Sequence, residues 1–153
     1  MRPGSLRLRL MLGGMVAILA ALAIAGLGLV LLFERQARRS LAEDLDVHLR
    51  QLVAGIDVAA DGRLAILRPP ADPRFADPLS GLYWQAGNDR DQLLRSRSLW
   101  DSVLALPIDE PATGAVHRHE AAGPGGTRLL VAERRVQLTA AGTTQAVRLA
   151  VAA

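Results

Sequence analysis

Leu10 to Phe33 reads LMLGGMVAILAALAIAGLGLVLLF, an apolar run without a charge, an amide or a proline. As a helix rising ~1.5 Å per residue it would extend roughly 36 Å, enough to cross a hydrocarbon core of about 30 Å with some tilt. In lipid, backbone polar groups must be satisfied within the segment, so a lone apolar run spans as a helix. A core helix of a soluble protein would show a polar face, and this run has none. Its front resembles a signal sequence: Arg2, Arg7 and Arg9 precede it, and Ala23-Ile24-Ala25 offers a small-residue cleavage site. The apolar stretch nevertheless continues through Leu27 to Phe33, which favours an uncleaved anchor.

Orientation follows the arginines flanking the span. Arg2, Arg7 and Arg9 before it are matched by Arg35, Arg38 and Arg39 after it, and the terminal amine tips the balance. Residues 1–9 are therefore expected to form a cytoplasmic tail, 10–33 the transmembrane helix, and the remainder an extracytoplasmic, periplasmic part in a bacterial inner membrane.

The formal charge of +3 invites a nucleic-acid reading, which its distribution rejects. All 15 acidic residues lie at or after Glu34, together with 15 of the 18 arginines, so the outer part is neutral. A nucleic-acid-binding domain carries a clustered basic face instead. With no cysteine in the chain, disulfides, thiolate metal sites and cysteine nucleophiles are excluded. The absence of lysine reflects coding bias in a GC-rich genome and has no chemical meaning.

Helical periodicity resumes at Glu34 and is expected to carry a juxtamembrane helix to residue 58. Ala42, Leu45, Leu49, Leu52 and Ile56 recur at alternating spacings of four and three, an a/d seam. The seam serves either the chain's own domain or a homodimer, and two heptads do not separate the two. A turn at Asp57–Gly62 and a short strand at Arg63–Arg68 follow. Pro69, Pro70, Pro73 and Pro78 then impose a loop to Ser80, anchored by Phe75.

Beyond Gly81 the period becomes two. Leu82–Gln85 and Leu93–Trp100 flank the turn Gly87–Asp91 and predict a hairpin. Val116–Glu120 pairs with Thr127–Leu138 across Gly123-Pro124-Gly125-Gly126, and a last strand, Ala146–Ala152, follows the turn Ala141-Gly142-Thr143. The fold class expected is α+β: a transmembrane helix running into a long helix, then a small antiparallel sheet over 59–153.

Candidate chemistry is sparse. His117 and His119 share a strand face at a spacing that can hold a metal, but no third ligand is set, and solvent-facing histidines account for them. His48 lacks the residues that follow a phosphoacceptor histidine and lies on the outer side. If the strand continues to Trp100, Arg95 and Arg97 place two forked donors on one face, able to receive a carboxylate or phosphate, unless Glu133 or Glu120 pairs with them. Trp84 and Trp100 are ligand-stacking candidates beside them, or core fillers. No phosphate-binding loop, nucleophile elbow or zinc-protease motif occurs. No catalytic residue, metal or cofactor is therefore assigned.

Asp72-Pro73-Arg74-Phe75, Pro78, Ser80-Gly81-Leu82-Tyr83-Trp84-Gln85 and Leu93-Leu94-Arg95-Ser96-Arg97-Ser98-Leu99-Trp100-Asp101, with the anchor before them and Leu129–Arg134 after, resemble the N-terminal input region of proteobacterial two-component sensor histidine kinases. The resemblance implies a sensor domain between two membrane helices, followed by a dimerisation helix with the phosphoacceptor histidine and an ATP-binding domain. A cognate response regulator would be reached only through those later domains. This sequence lacks them, which predicts no kinase activity of its own. The alternative is an anchored or secreted periplasmic binding or scaffold protein. Because Ala146–Ala153 stops inside an alternating strand, and a bare strand edge invites pairing, the reading frame is expected to continue.

Overall fold

The computed structural model describes residues 6–59, 61–90, 92–107, 113–140 and 143–153. Among these residues, one α-helix and seven strands alternate with three 3₁₀ turns. They are α1 (Leu6–Gly55), β1 (Ile56–Val58), β2 (Leu64–Ile66), β3 (Tyr83–Asn88), β4 (Leu93–Arg95), β5 (Val116–Ala122), β6 (Arg128–Ala140) and β7 (Thr143–Ala152). The chain divides into two units, one ending at Ser40 and one running from Leu41 to Ala153. The α+β class expected from the sequence is observed.

In the first unit, Arg9–Phe33 forms a helix long and apolar enough to cross a membrane, and none of it is buried. Large apolar side chains from Leu10 to Phe33 all face outward. Among the described residues the helix begins at Leu6, so Arg7 and Arg9 are helical as well.

In the second unit, α1 supplies one layer and a five-stranded antiparallel sheet, ordered β4-β3-β7-β6-β5, supplies the other. The seam residues Leu45, Leu49 and Leu52 are fully buried in one cluster with Trp84, Ala132, Leu149 and Val151. Each such leucine contributes roughly 2 kcal/mol by leaving water. The seam is therefore spent on the chain's own core, and a homodimer would have to use other side chains.

The helix also ends earlier than the periodicity suggests. Ile56 is the first residue of β1, not the last of the seam. Its burial continues the apolar pattern, because the chain turns at Gly55 and lays Ile56 and Val58 on the same core. Gly55 is required by close approach: a Cβ there would stand 1.8 Å from the Arg68 carbonyl oxygen. Both Leu67 and Arg68 donate their N–H to the Gly55 carbonyl, at 2.8 and 3.3 Å. That seals the helix end against the exit of β2.

The last strand, β7, is central. It pairs with β3 on one side and β6 on the other, and Ala153 exchanges backbone hydrogen bonds with Leu130. The bare-edge argument for a continuing chain does not apply to it, since the edges are β4 and β5. β7 begins at Thr143, earlier than expected, and residues 141 and 142 of the expected turn lie outside the described residues.

Candidate functional site

Two faces of the sheet offer different chemistry. On the helix side, a groove follows the proline-rich loop after β2. Pro69 and Pro70 limit the backbone, and Asp72 then caps the 3₁₀ turn Pro73–Phe75 by accepting the Arg74 N–H at 2.9 Å. The Arg74 guanidinium returns to the same carboxylate, with Nη2 2.7 Å and Nε 3.2 Å from Oδ2. That side-chain hydrogen bond holds the Asp72 carboxyl at about 2, below its ordinary value of 3.8. Phe75 is buried, as its role as loop anchor predicts, and packs edge-on to His48 with ring centroids 5.3 Å apart. His48 Nε2 lies 3.8 Å from Asp72 Oδ2.

The other wall comes from the segment after β4. Ser96 is captured by β3: its N–H donates to the Trp84 carbonyl at 2.9 Å, and its Oγ accepts the Trp84 N–H at 3.0 Å. Ser96 Oγ also meets Ser98 Oγ at 2.8 Å, and Ser98 donates to the Leu82 carbonyl at 2.7 Å. These buried hydroxyls replace the strand ladder with a 3₁₀ turn over Arg97–Leu99. The expected strand through Trp100 therefore stops at Arg95.

That stop separates the four ligand candidates. Arg97 and Trp84 line one cavity of about 420 Å³, walled by Pro69, Pro70, Pro73 and Phe75. Arg95 turns away and donates from Nη1 to the Ser102 carbonyl at 2.7 Å. Trp100, with φ of 54°, is 59% exposed, whereas Trp84 sits in the core with one edge on the cavity. Neither arginine uses Glu133 or Glu120 as its partner. A smaller compartment of about 230 Å³, between Gly55 and Arg68, shares Pro69, Pro70 and Ala71 with the first.

The opposite face holds what sequence reasoning missed. Glu133 is completely buried, and Arg148 donates to its Oε2 from Nε at 3.0 Å and Nη2 at 2.7 Å. The remaining Arg148 nitrogen, Nη1, donates to the Pro107 carbonyl at 2.7 Å. Glu133 Oε1 and both ring nitrogens of His119 are buried without a hydrogen-bond partner among the described residues. Burial lowers the His119 pKa below 6.5, against the opposing pull of Glu133. The available signal was phase: along β6, Glu133 takes the inward position of Val131 and Leu129.

His117 and His119 stand with ring centroids 6.0 Å apart. Among the described residues no group of three or more metal-ligating side chains converges. His48 is a packing partner of the loop, on α1 beside Asp72. No protein-family model, no curated protein and no solved structure matches this chain, so the functional reading rests on its own residues.

Proposed function

We propose that the chain is the signal-input region of a two-component sensor histidine kinase, anchored by its N-terminal helix in the bacterial inner membrane. Its tail is cytoplasmic and its α+β domain periplasmic. The groove between the proline-rich loop and the Arg97 turn receives the signal molecule. Binding there alters the packing of that loop, which touches α1 through His48, so bound and free states differ at the helix that leads to the membrane. Differential contacts of this kind are what a signal must supply to shift an equilibrium between two conformations.

One observation carries the reading: the single element α1 contains both the unburied apolar run Arg9–Phe33 and the core leucines Leu45, Leu49 and Leu52. The apolar run also continues past the Ala23-Ile24-Ala25 cleavage candidate to Phe33, longer than the apolar centre of a secretion signal. The topology is tested by fusing alkaline phosphatase after Ala153, a site that spares the central strand β7. Activity supports the reading, and a reporter active only in the cytoplasm at that site overturns it.

A groove of this kind serves an anchored binding or scaffold protein equally well, and the DNA downstream of codon 153 separates the two. A second apolar run of about 20 residues, then a histidine-bearing helix and an ATP-binding domain, supports the kinase. A stop codon there supports the binding protein.

A further inference from the structure

The larger groove compartment has a specific chemistry. Two donors border it without using their hydrogens. The Arg97 guanidinium makes no ion pair or hydrogen bond with any described residue, and the Trp84 indole N–H makes none either, though it keeps contact with solvent. Pro69, Pro70, Pro73 and Phe75 supply apolar walls, and the Ser96 hydroxyl that also lines it is engaged by the Trp84 backbone N–H and Ser98. One acid borders it, Asp72, and both of its oxygens are already engaged by Arg74.

The uncompensated charge facing the cavity is thus a single positive one. Its volume of about 420 Å³ lies within the range of small-molecule sites, about 300–1,000 Å³.

We propose that this compartment binds a small amphipathic monocarboxylate, with the carboxylate on Arg97 and the Trp84 N–H and an apolar body between the prolines and Phe75. The inference rests on the groove being the binding site of the sensor domain. A planar carboxylate matches the two-pronged guanidinium, and the exchange of hydration for a charge-assisted pair favours it over a neutral group. A dianionic phosphate carries a second charge for which the lining offers no second cation, and the Asp72 carboxylate stands beside it. Phosphate esters are therefore the weaker ligands.

The chain has two tryptophans, so Trp100→Phe leaves Trp84 as the sole reporter. The full chain carrying that substitution, in lipid nanodiscs, is titrated with phenylacetate, octanoate, phenylacetamide and phenyl phosphate while tryptophan emission is followed. The two acids should give saturable changes, the amide none, and the phosphate a weaker response than phenylacetate. Arg97→Gln should weaken the acids about tenfold, the loss of one charge-assisted contact, at an unchanged melting temperature. Arg97→Lys, which keeps charge but loses the fork, should fall between.

Equal binding of amide and acid, tighter binding of the phosphate, indifference to Arg97→Gln, or no response to either acid overturns the proposal. The result is independent of the reporter fusion. Acid binding with a cytoplasmic reporter retires the sensor topology alone, and a periplasmic reporter without acid binding retires the ligand alone.

Discussion

The two faces of the sheet are built from the same strands and solve burial in opposite ways. Toward α1, Ala132, Val147, Leu149 and Val151 meet leucines in a mostly apolar contact, with Asp46 of α1 paired to Arg118 on the edge strand β5. Away from it, alternate residues of the same strands include Glu133 and Arg148, covered by the irregular stretch that contains Leu99 and Leu104. The first face gains from transfer out of water and tolerates loss of a contact in proportion to the cavity left. The second face depends on pairing. A buried ion pair contributes little net stability, but removing Arg148, the partner that reaches solvent, leaves the Glu133 carboxylate with neither water nor counter-ion.

That contrast sets the order of expected effects. Arg148→Met should cost about 4 kcal/mol in chemical denaturation, more than any apolar truncation opposite, because it strands the buried Glu133 carboxylate. The double substitution Glu133→Leu with Arg148→Met should recover most of it. If the single and double variants are equally unstable, the pair is not what governs this face. On the apolar face, Leu49→Ala should cost about 3 kcal/mol. A loss below about 1 kcal/mol would mean that the helix does not pack there.

Smaller effects come from outside both cores. Trp100 holds a positive φ with its side chain mostly in water. Trp100→Gly should raise stability by about 1 kcal/mol, because glycine adopts that backbone without steric cost. A decrease would show that the indole has a packing role.

The pH response sharpens the comparison further. His119 has a folded-state pKa below 6.5 because burial disfavours its cation. Stability from this group is complete above that unfolded value and is lost as pH falls through it toward the lower folded value. His119→Gln should flatten the denaturation midpoint between neutral and mildly acidic pH. The Asp72 carboxyl acts lower, with stability present above 3.8 and lost as pH falls through about 2. An unchanged slope in His119→Gln would place the acid response elsewhere.

How far the sequence reveals all this depends on whether the cause is local. The span is local composition, and the β5–β6 pairing is alternation about a Gly-Pro turn, so both are legible. The end of α1 is hidden because Ile56 falls at the next seam position after Leu52, although it belongs to a strand. Only the approach of Arg68 to Gly55 dictates the stop, and that contact joins distant residues. The break after Arg95 is hidden for the same reason, since alternation runs on through Trp100 while buried serine hydroxyls capture the chain. Arg97 and Trp84 are recovered as neighbours from a strand that is not there. The Glu133–Arg148 pair depends on β6 and β7 lying side by side, which no single-strand pattern reports.

The central proposal is that the helix crossing the membrane continues into the core of an extracytoplasmic domain. Because the chain has no cysteine, single substitutions give a silent background for labelling. Val47 is 42% exposed and Leu49, two residues on, 1%. In intact spheroplasts, a membrane-impermeant maleimide should label Val47→Cys readily. Leu49→Cys should stay unlabelled until denaturant is added and should form no disulfide dimer on oxidation. Labelling of Leu49→Cys at the rate of Val47→Cys, or protection of Val47→Cys until the membrane is permeabilised, would contradict the account.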